Sequence, residues 1–327
     1  ASHASHRTQR QNHARNGRVR HLHSVRLLND GIERRQCIGH GQERLVTLAV
    51  ESPHDEAVNA ILGEGAFGDV TRLRRSCAIL SLFPHQSNPG VPAALFTTFA
   101  RAGLSIRGMA NSPSALSVLI HEEQLETVGA VLFDAFTFRG CSSPEEWKAA
   151  QEGKEALYKE VVASYQEKRP KVYGVTCIAN QQLVSVHLDD PSLSAAAPVM
   201  GEAARRGLRL SLIASAPLRP EGSLHLTYCL PRALPGDIFD LLPSPRPASA
   251  HAPTEPTAVF SMNGPHFGDR FGITSELLAA LHQSGVSLPA LNCTVASITG
   301  AVPARDLDTA LEAIQGCFEV PSVIRPA

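Results

Sequence analysis

One unit occurs twice in this chain, and that repetition constrains the fold more than any other feature. Shifted against itself by 182 residues, the sequence lays Gly90 on Gly272, Gly103 on Gly285, Ile120 on Val302, Val128 on Ala310 and Leu132 on Ile314, with no gap needed. Self-similarity at a fixed spacing marks duplicated supersecondary units, each of which buries its apolar face against a neighbour. A partial copy appears at an offset of 70, where TLAVESPHDEAVNAIL (47–62) lies over SVLIHEEQLETVGAVL (117–132). Only the second half of the unit matches there, because Arg20 and Glu33 occupy the two glycine positions. A third, weaker copy begins near Lys171, with a strand-like LVSVHLDD and a helical stretch from Ser194 to Arg206. Gly207 ends that helix as Gly103 and Gly285 end theirs.

The unit reads as alternating strands and helices. An apolar strand (Cys77 to Phe83) runs into the turn SNPG, whose proline and glycine set the bend. A helix follows from Val91 to Arg101, with Ala94, Leu95, Thr98 and Phe99 available to one face, and Gly103 stops it. Leu104 to Met109 and Ala115 to Ile120 give two more strands, Gln124 to Phe133 a second helix, and Thr137 to Arg139 a short remnant of a fourth strand. The order is βαββαβ, so the expected fold class is α+β: tandem ferredoxin-like units, each an antiparallel sheet with helices on one face.

The copies divide the chain into a basic tail (1–44), a partial unit (45–76), a full unit (77–140), a connector helix (141–171), a degenerate unit (172–242), a Pro-rich linker (243–257) and a last unit (258–327). The tail holds six of the 14 histidines and nine arginines against Asp30, Glu33 and Glu43, with no sustained hydrophobic period. It reads as disordered or as a remnant of a domain with a mis-set start; a nucleic-acid arm and metal capture by His3, His6, His21 and His23 are competing readings. In the connector, Ser143 suits the N-cap, Pro144 the first helical position, and Glu145 and Glu146 the positive helix end.

Composition narrows the function classes. At 43% hydrophobic and 19% charged, the 327 residues can bury real cores. A net charge of −1 argues against a surface built for nucleic acid or anionic membrane. No window reaches the ~18 apolar residues of a membrane span, and no signal peptide opens the chain, so a cytoplasmic location is expected. Seven cysteines stand singly without a C-x-x-C pair, the pattern of reduced thiols rather than of disulfides or structural zinc. No metal and no cofactor is expected.

Several motifs tempt and fail. GEGAFGDV (63–70) fits the glycine-rich loop of protein kinases, yet no lysine precedes Lys148, and neither an H-R-D loop nor a D-F-G ligand follows. The dinucleotide reading fails as well, because the motif follows a helix instead of opening one. It is expected to be a turn between the second helix and the last strand of the partial unit. GLSIRG (103–108) has one residue too many for a nucleophile elbow. Asp189 and Asp190, followed by Pro191, read as a cap or turn rather than a metal or acid/base pair. The remaining histidines are scattered, with His85 and His266 lying just before turns of interest.

With these residues in hand, the stretch ILSLFPHQSNPGVPAALFTTFARAGLSIRGMANSPSALSVLIHEEQLETVGAVLFDAF (79–136) strongly resembles an ACT domain, most closely those of the regulatory region of aspartokinases. The last unit, with FGDRFGITSELLAALHQSGVSL, is similar to the same family, although Phe271 departs from its turn pattern. The resemblance implies domains that pair sheet edge to sheet edge and hold an amino acid at the interface. A helix N-terminal turn can offer N–H donors to the carboxylate, and Asn88 or Asp269 an acceptor to the ammonium. The candidate ligand residues are therefore Ser87, Asn88, Gly90 and Val91 facing Asn111 and Ser112, and, in the last unit, Asp269, Arg270, Gly272 and Ile273 with Asn292 and Thr294. These residue types are also ordinary turn formers.

An aspartokinase catalytic domain opens with a lysine-containing K-F-G-G segment, and residues 1–76 do not resemble it. The expectation is a chain that is not an enzyme: a non-catalytic amino-acid-binding regulatory protein, with lysine or threonine as first candidate ligands and homo-oligomers formed through sheet edges. A regulatory subunit or fragment of an aspartokinase, with a separate enzyme partner, and a ligand-free interaction module are the alternatives. No membrane or nucleic-acid partner is expected.

Overall fold

The computed structural model describes residues 20–27, 44–51, 56, 60, 70–138, 142–146, 169–218, 222–232, 255–264, 267, 272–294 and 297–325. In chain order they form β1 (Arg20–Leu27), β2 (Arg44–Glu51), β3 (Val70–Leu82), α1 (Gly90–Arg101), β4 (Gly108–Asn111), β5 (Leu116–His121) and α2 (Leu125–Ala135). Then come β6 (Gly174–Leu188), α3 (Ala197–Arg205), β7 (Leu212–Pro217), β8 (Leu224–Pro231), β9 (Thr257–Asn263), α4 (Ile273–Gln283), β10 (Ala290–Cys293), β11 (Ser297–Pro303), α5 (Leu307–Cys317) and β12 (Val323–Ile324). We call 70–138 the first segment, 169–232 the second and 255–325 the third.

Helix faces follow the 3.6-residue period. In α1 the buried residues are Pro92, Leu95, Phe96 and Phe99, and in α5 they are Leu307, Ala310, Leu311 and Ile314, the i, i+3, i+4, i+7 stripe that a sheet-covering helix presents. The α1 stripe lies slightly round from the expected one: Ala94 and Thr98 are half-buried, and Phe96 fills the space between Leu95 and Phe99. Three helices stop alike. Gly103 (φ 64°), Gly207 (φ 68°) and Gly285 (φ 69°) follow α1, α3 and α4 in the left-handed region, where a side chain is strained.

The strands join in one curled, antiparallel sheet of order β10-β11-β9-β6-β8-β7-β4-β5-β3-β1-β2, to which β12 adds a short parallel pair with β6. The order is nearly symmetrical about the β7–β4 seam. On each side the long third strand divides its pairing: β3 pairs β1 over Val70–Cys77 and β5 over Cys77–Leu82, while β6 pairs β9 over Gly174–Gln181 and β8 over Gln181–Leu188. A register shift between Ile178 and Gln181 marks the point where β6 changes role.

Two local expectations change. Arg20–Leu27, assigned to the basic tail, forms a strand between β2 and β3, because the split pairing of β3 leaves a backbone edge there to fill. Thr137 and Phe138 form no strand, since that flank of β3 is taken by β1. In the connector, the Glu146 N–H donates to Ser143 Oγ at 3.2 Å, as an N-cap requires; residues 147–168 lie outside the described residues. The same holds for residues 63–69 of GEGAFGDV, 243–254 of the linker and, in the helix expected over 55–62 before that motif, all but Glu56 and Ala60.

The first and second segments share one core, in which Leu95, Phe96, Phe99, Leu116 and Ile120 meet Val199, Met200, Ile213, Leu226 and Tyr228. The third is built on a second core, around Phe260, Leu277, Leu311, Ile314 and Phe318, to which Val172, Val175 and Cys177 of the second segment also belong. On the sheet face away from the helices, Leu183, Leu212 and Cys229 of the second segment pack on Val259 and Ala301 of the third. Burying a side chain of the Leu or Phe class contributes about 1.5–3 kcal/mol, so the large shared core makes the first two segments one cooperative body.

Candidate functional site

The seam between β4 and β7 is short and locally two-fold. Ala110 pairs with Ala214, and Met109 with Ser215. On one side the Leu210 N–H donates to the Ser87 carbonyl at 2.9 Å; on the other the Ile106 N–H donates to the Pro191 carbonyl at 2.7 Å. Ser87 and Pro191, Ile106 and Leu210, and Ala110 and Ala214 all stand 104 residues apart. Each turn before a helix thus grips the lead-in to the opposite segment's seam strand, and α1 lies against α3 above the seam.

Beyond Ala110 the ladder opens, and side-chain amides take it over. Asn111, fully buried, accepts at Oδ1 from the Ile213 N–H at 2.7 Å. Asn292, on β10 of the third segment, donates from Nδ2 to the Ile213 carbonyl at 3.1 Å and to Asn111 Oδ1 at 3.2 Å. A backbone N–H can only donate, so Asn111 Oδ1 must face it; a carbonyl can only accept, so Asn292 Nδ2 must face that. The other ends of both amides are then fixed. Asn111 Nδ2 and Asn292 Oδ1 are buried without a hydrogen-bond partner among the described residues. A buried polar atom left so costs about 1–3 kcal/mol, and here a spare donor and a spare acceptor stand on neighbouring amides.

The turn that precedes α1 is built mostly from its own atoms. Gln86 and Ser87 have positive φ, at 52° and 55°. The Asn88 Oδ1 accepts from the Gly90 N–H at 2.8 Å, and the Asn88 carbonyl from the Val91 N–H at 3.2 Å. A Cβ on Gly90 would lie 3.0 Å from Asn88 Oδ1 and 3.4 Å from Ala204 Cβ, so glycine keeps both the turn and α3 close. His85 is buried, with Nδ1 3.3 Å from the Ser112 carbonyl and Nε2 without a partner among the described residues. Burial lowers its pKa to about 4 against the hydrogen bond to Ser112, so the ring is neutral, Nδ1 carries the proton and donates it, and Nε2 is a bare acceptor.

The other predicted residues are spread more widely. Ser112 and Thr294 close equivalent hairpin turns, the Ser112 N–H donating to the Ala115 carbonyl and that of Thr294 to Ser297, both at 2.8 Å. Gly272 (φ 88°) caps α4, Ile273 packs into the third segment's core, and Asp269 and Arg270 lie outside the described residues. Asp190 works as a cap: Oδ1 accepts from the Ser192 N–H and hydroxyl, and Oδ2 from the Ser194 N–H and hydroxyl. Burial alone would raise its pKa, but these bonds outweigh burial and hold the carboxyl below its ordinary value. Among the described residues no group of three or more His, Cys, Asp or Glu is placed to hold a metal ion. No helix among them is long and apolar enough to cross a membrane.

What sequence reasoning missed is Ile213 and Leu210, which act through backbone atoms. A further offset would have exposed them, since ARRGLRL (204–210) lies over ARAGLSI (100–106) at 104 residues.

No family model matches this sequence, and no curated relative does. Among solved structures, the chain is similar to aspartate kinase from Synechocystis, with a TM-score of 0.67 and 16% identity over 98% of this chain and 53% of that one. It is also similar to the regulatory subunit of aspartate kinase from Thermus thermophilus in its ligand-free form (TM-score 0.37, 18% identity, 45% of this chain and 99% of that one). The chain thus has an aspartokinase-related fold and spans about half the length of the Synechocystis enzyme. The expectation that it is not an enzyme is corrected by that match, which runs over 98% of the chain to a protein named as a kinase. Missing protein-kinase motifs within these residues are silent about a fold held in common with half of an aspartokinase.

Proposed function

We propose that the chain is an amino-acid-binding regulatory region of an aspartokinase-type protein, its β-α-β-β-α segments being ACT-like units paired edge to edge. The observation that carries this reading is the pair of buried amides: Asn111 Nδ2 offers a donor to an α-carboxylate, and Asn292 Oδ1 an acceptor to an α-ammonium. A zwitterion needs both, and charge-assisted bonds to these atoms would offset their desolvation. The seam turns with Ser87 and Asn88 support the reading by their place beside the opposite segment's strand. Lysine and threonine are the first ligands to try. A β10 strand with one unpaired edge among the described residues supports homo-oligomers, or a separately encoded enzyme partner, through sheet pairing. We place the protein in the cytoplasm, in keeping with the free thiols of Cys177, Cys229, Cys293 and Cys317.

Calorimetric titration of the chain with the twenty amino acids, lysine and threonine first, tests this reading. Saturable binding of at least one at micromolar to millimolar concentration is expected. Uniform absence of heat at millimolar ligand contradicts it.

A further inference from the structure

The sequence suggests two ligand sites, one for each well-preserved copy of the unit. We propose, resting on the amino-acid reading above, that the chain instead holds one, shared by all three segments and centred on Asn111 and Asn292. The two asparagines belong to the two separate sets of candidate residues, yet Asn292 Nδ2 lies 3.2 Å from Asn111 Oδ1, and both amides converge on Ile213 of the second segment. One ligand spanning Asn111 Nδ2 and Asn292 Oδ1 uses both spare atoms. Two ligands would each find one.

The local two-fold sharpens the point. It would generate a second site at the other end of the seam, where Ser215 takes the place of Asn111, since Met109 pairs with Ser215 at the opposite end of the same short ladder. Ser215 Oγ is also buried without a partner, but it is a single hydroxyl, and no amide from a third segment reaches it among the described residues. The turn at that end differs in charge as well. Where the first segment has the uncharged Ser87-to-Gly90 turn, the second has Asp189 and Asp190, and the Asp190 carboxylate already takes the N–H groups of Ser192 and Ser194. An incoming carboxylate there meets negative charge and occupied donors. The Asn111 end is the one built for a zwitterion.

This arrangement also makes the ligand a tie between the third segment and the other two. Ligand occupancy would fasten β10 to the β4–β7 seam through contacts that neither pair of segments makes alone.

The experiment is titration calorimetry on the full chain with L-lysine and L-threonine, comparing wild type with Asn111→Asp, Asn292→Ala and Ser215→Ala. Asn111→Asp keeps the acceptor that holds the Ile213 N–H and replaces the spare donor by a carboxylate oxygen, which repels an incoming α-carboxylate; Asn111→Ser is the second variant should the buried charge prevent folding, and thermal melting reports on both. One binding event per chain is expected, weakened about tenfold or more by the change at either asparagine and left unchanged by Ser215→Ala. Two events, each abolished by only one of the asparagine changes, overturn the shared site while leaving amino-acid binding standing. Loss of binding in Ser215→Ala also overturns it. No binding by wild type overturns the amino-acid reading itself, and the shared site with it.

Discussion

His85 shows how a residue that looks incidental in sequence gains a consequence from burial. Its folded pKa is lowered to about 4 by desolvation, whereas in the unfolded chain it sits near the ordinary value of about 6.5. The unfolded state therefore binds the proton first. As pH falls from about 6.5 towards 4, stability falls by about 1.4 kcal/mol per unit, or ~2 kcal/mol by pH 5. Above pH 7 the group has no effect. Urea denaturation of wild type and His85→Gln at pH 7.5 and pH 5 should show a steeper acid loss in wild type by about that amount; parallel losses contradict a buried neutral ring. Asn111 was legible as a candidate because a small polar residue ends the strand beside the turn. Its partner Ile213 was not, because a backbone N–H carries no mark in the sequence and the surrounding copy is worn: no glycine follows Pro191 as Gly90 follows Pro89.

At the scale of elements, helices were read more faithfully than strand edges. The glycines that stop α1, α3 and α4 need positive φ, and that need is local, so the sequence displays it. Strand pairing is not local. β1 was invisible because its alternation is broken by arginine and histidine, and its place depends on the half of β3 that lies beyond β5. β9 and β11 illustrate how closely two strands come to specify each other. Gly300 sits opposite Phe260, and a Cβ there would lie 2.4 Å from the ring's Cζ. The aromatic ring covers the glycine, so Gly300→Val must push Phe260 out of the third segment's core. A loss of about 3 kcal/mol or more is expected, in the range of a disrupted large core residue; a melting temperature equal to wild type would refute the close packing.

Over the whole molecule, the near-symmetry of the sheet about the β7–β4 seam explains why a tandem sequence makes one curled sheet. Each long strand serves two neighbours, which leaves no segment free to detach, and the third segment folds back until β10 reaches the seam. The repeat at 182 residues made the copies visible; it was silent on which copies would meet, because edge pairing is decided by strands too short and too small-sided to carry a pattern, such as Gly108–Asn111. Hydrogen exchange of the backbone amides, with and without saturating amino acid, bears most directly on the central claim. If an amino acid binds where the three segments converge, protection must rise together in 108–111, 212–217 and 290–293 and change little in the outer strand β2. Binding that protects the 85–91 turn or the third segment alone, with no change at Ile213, would contradict it.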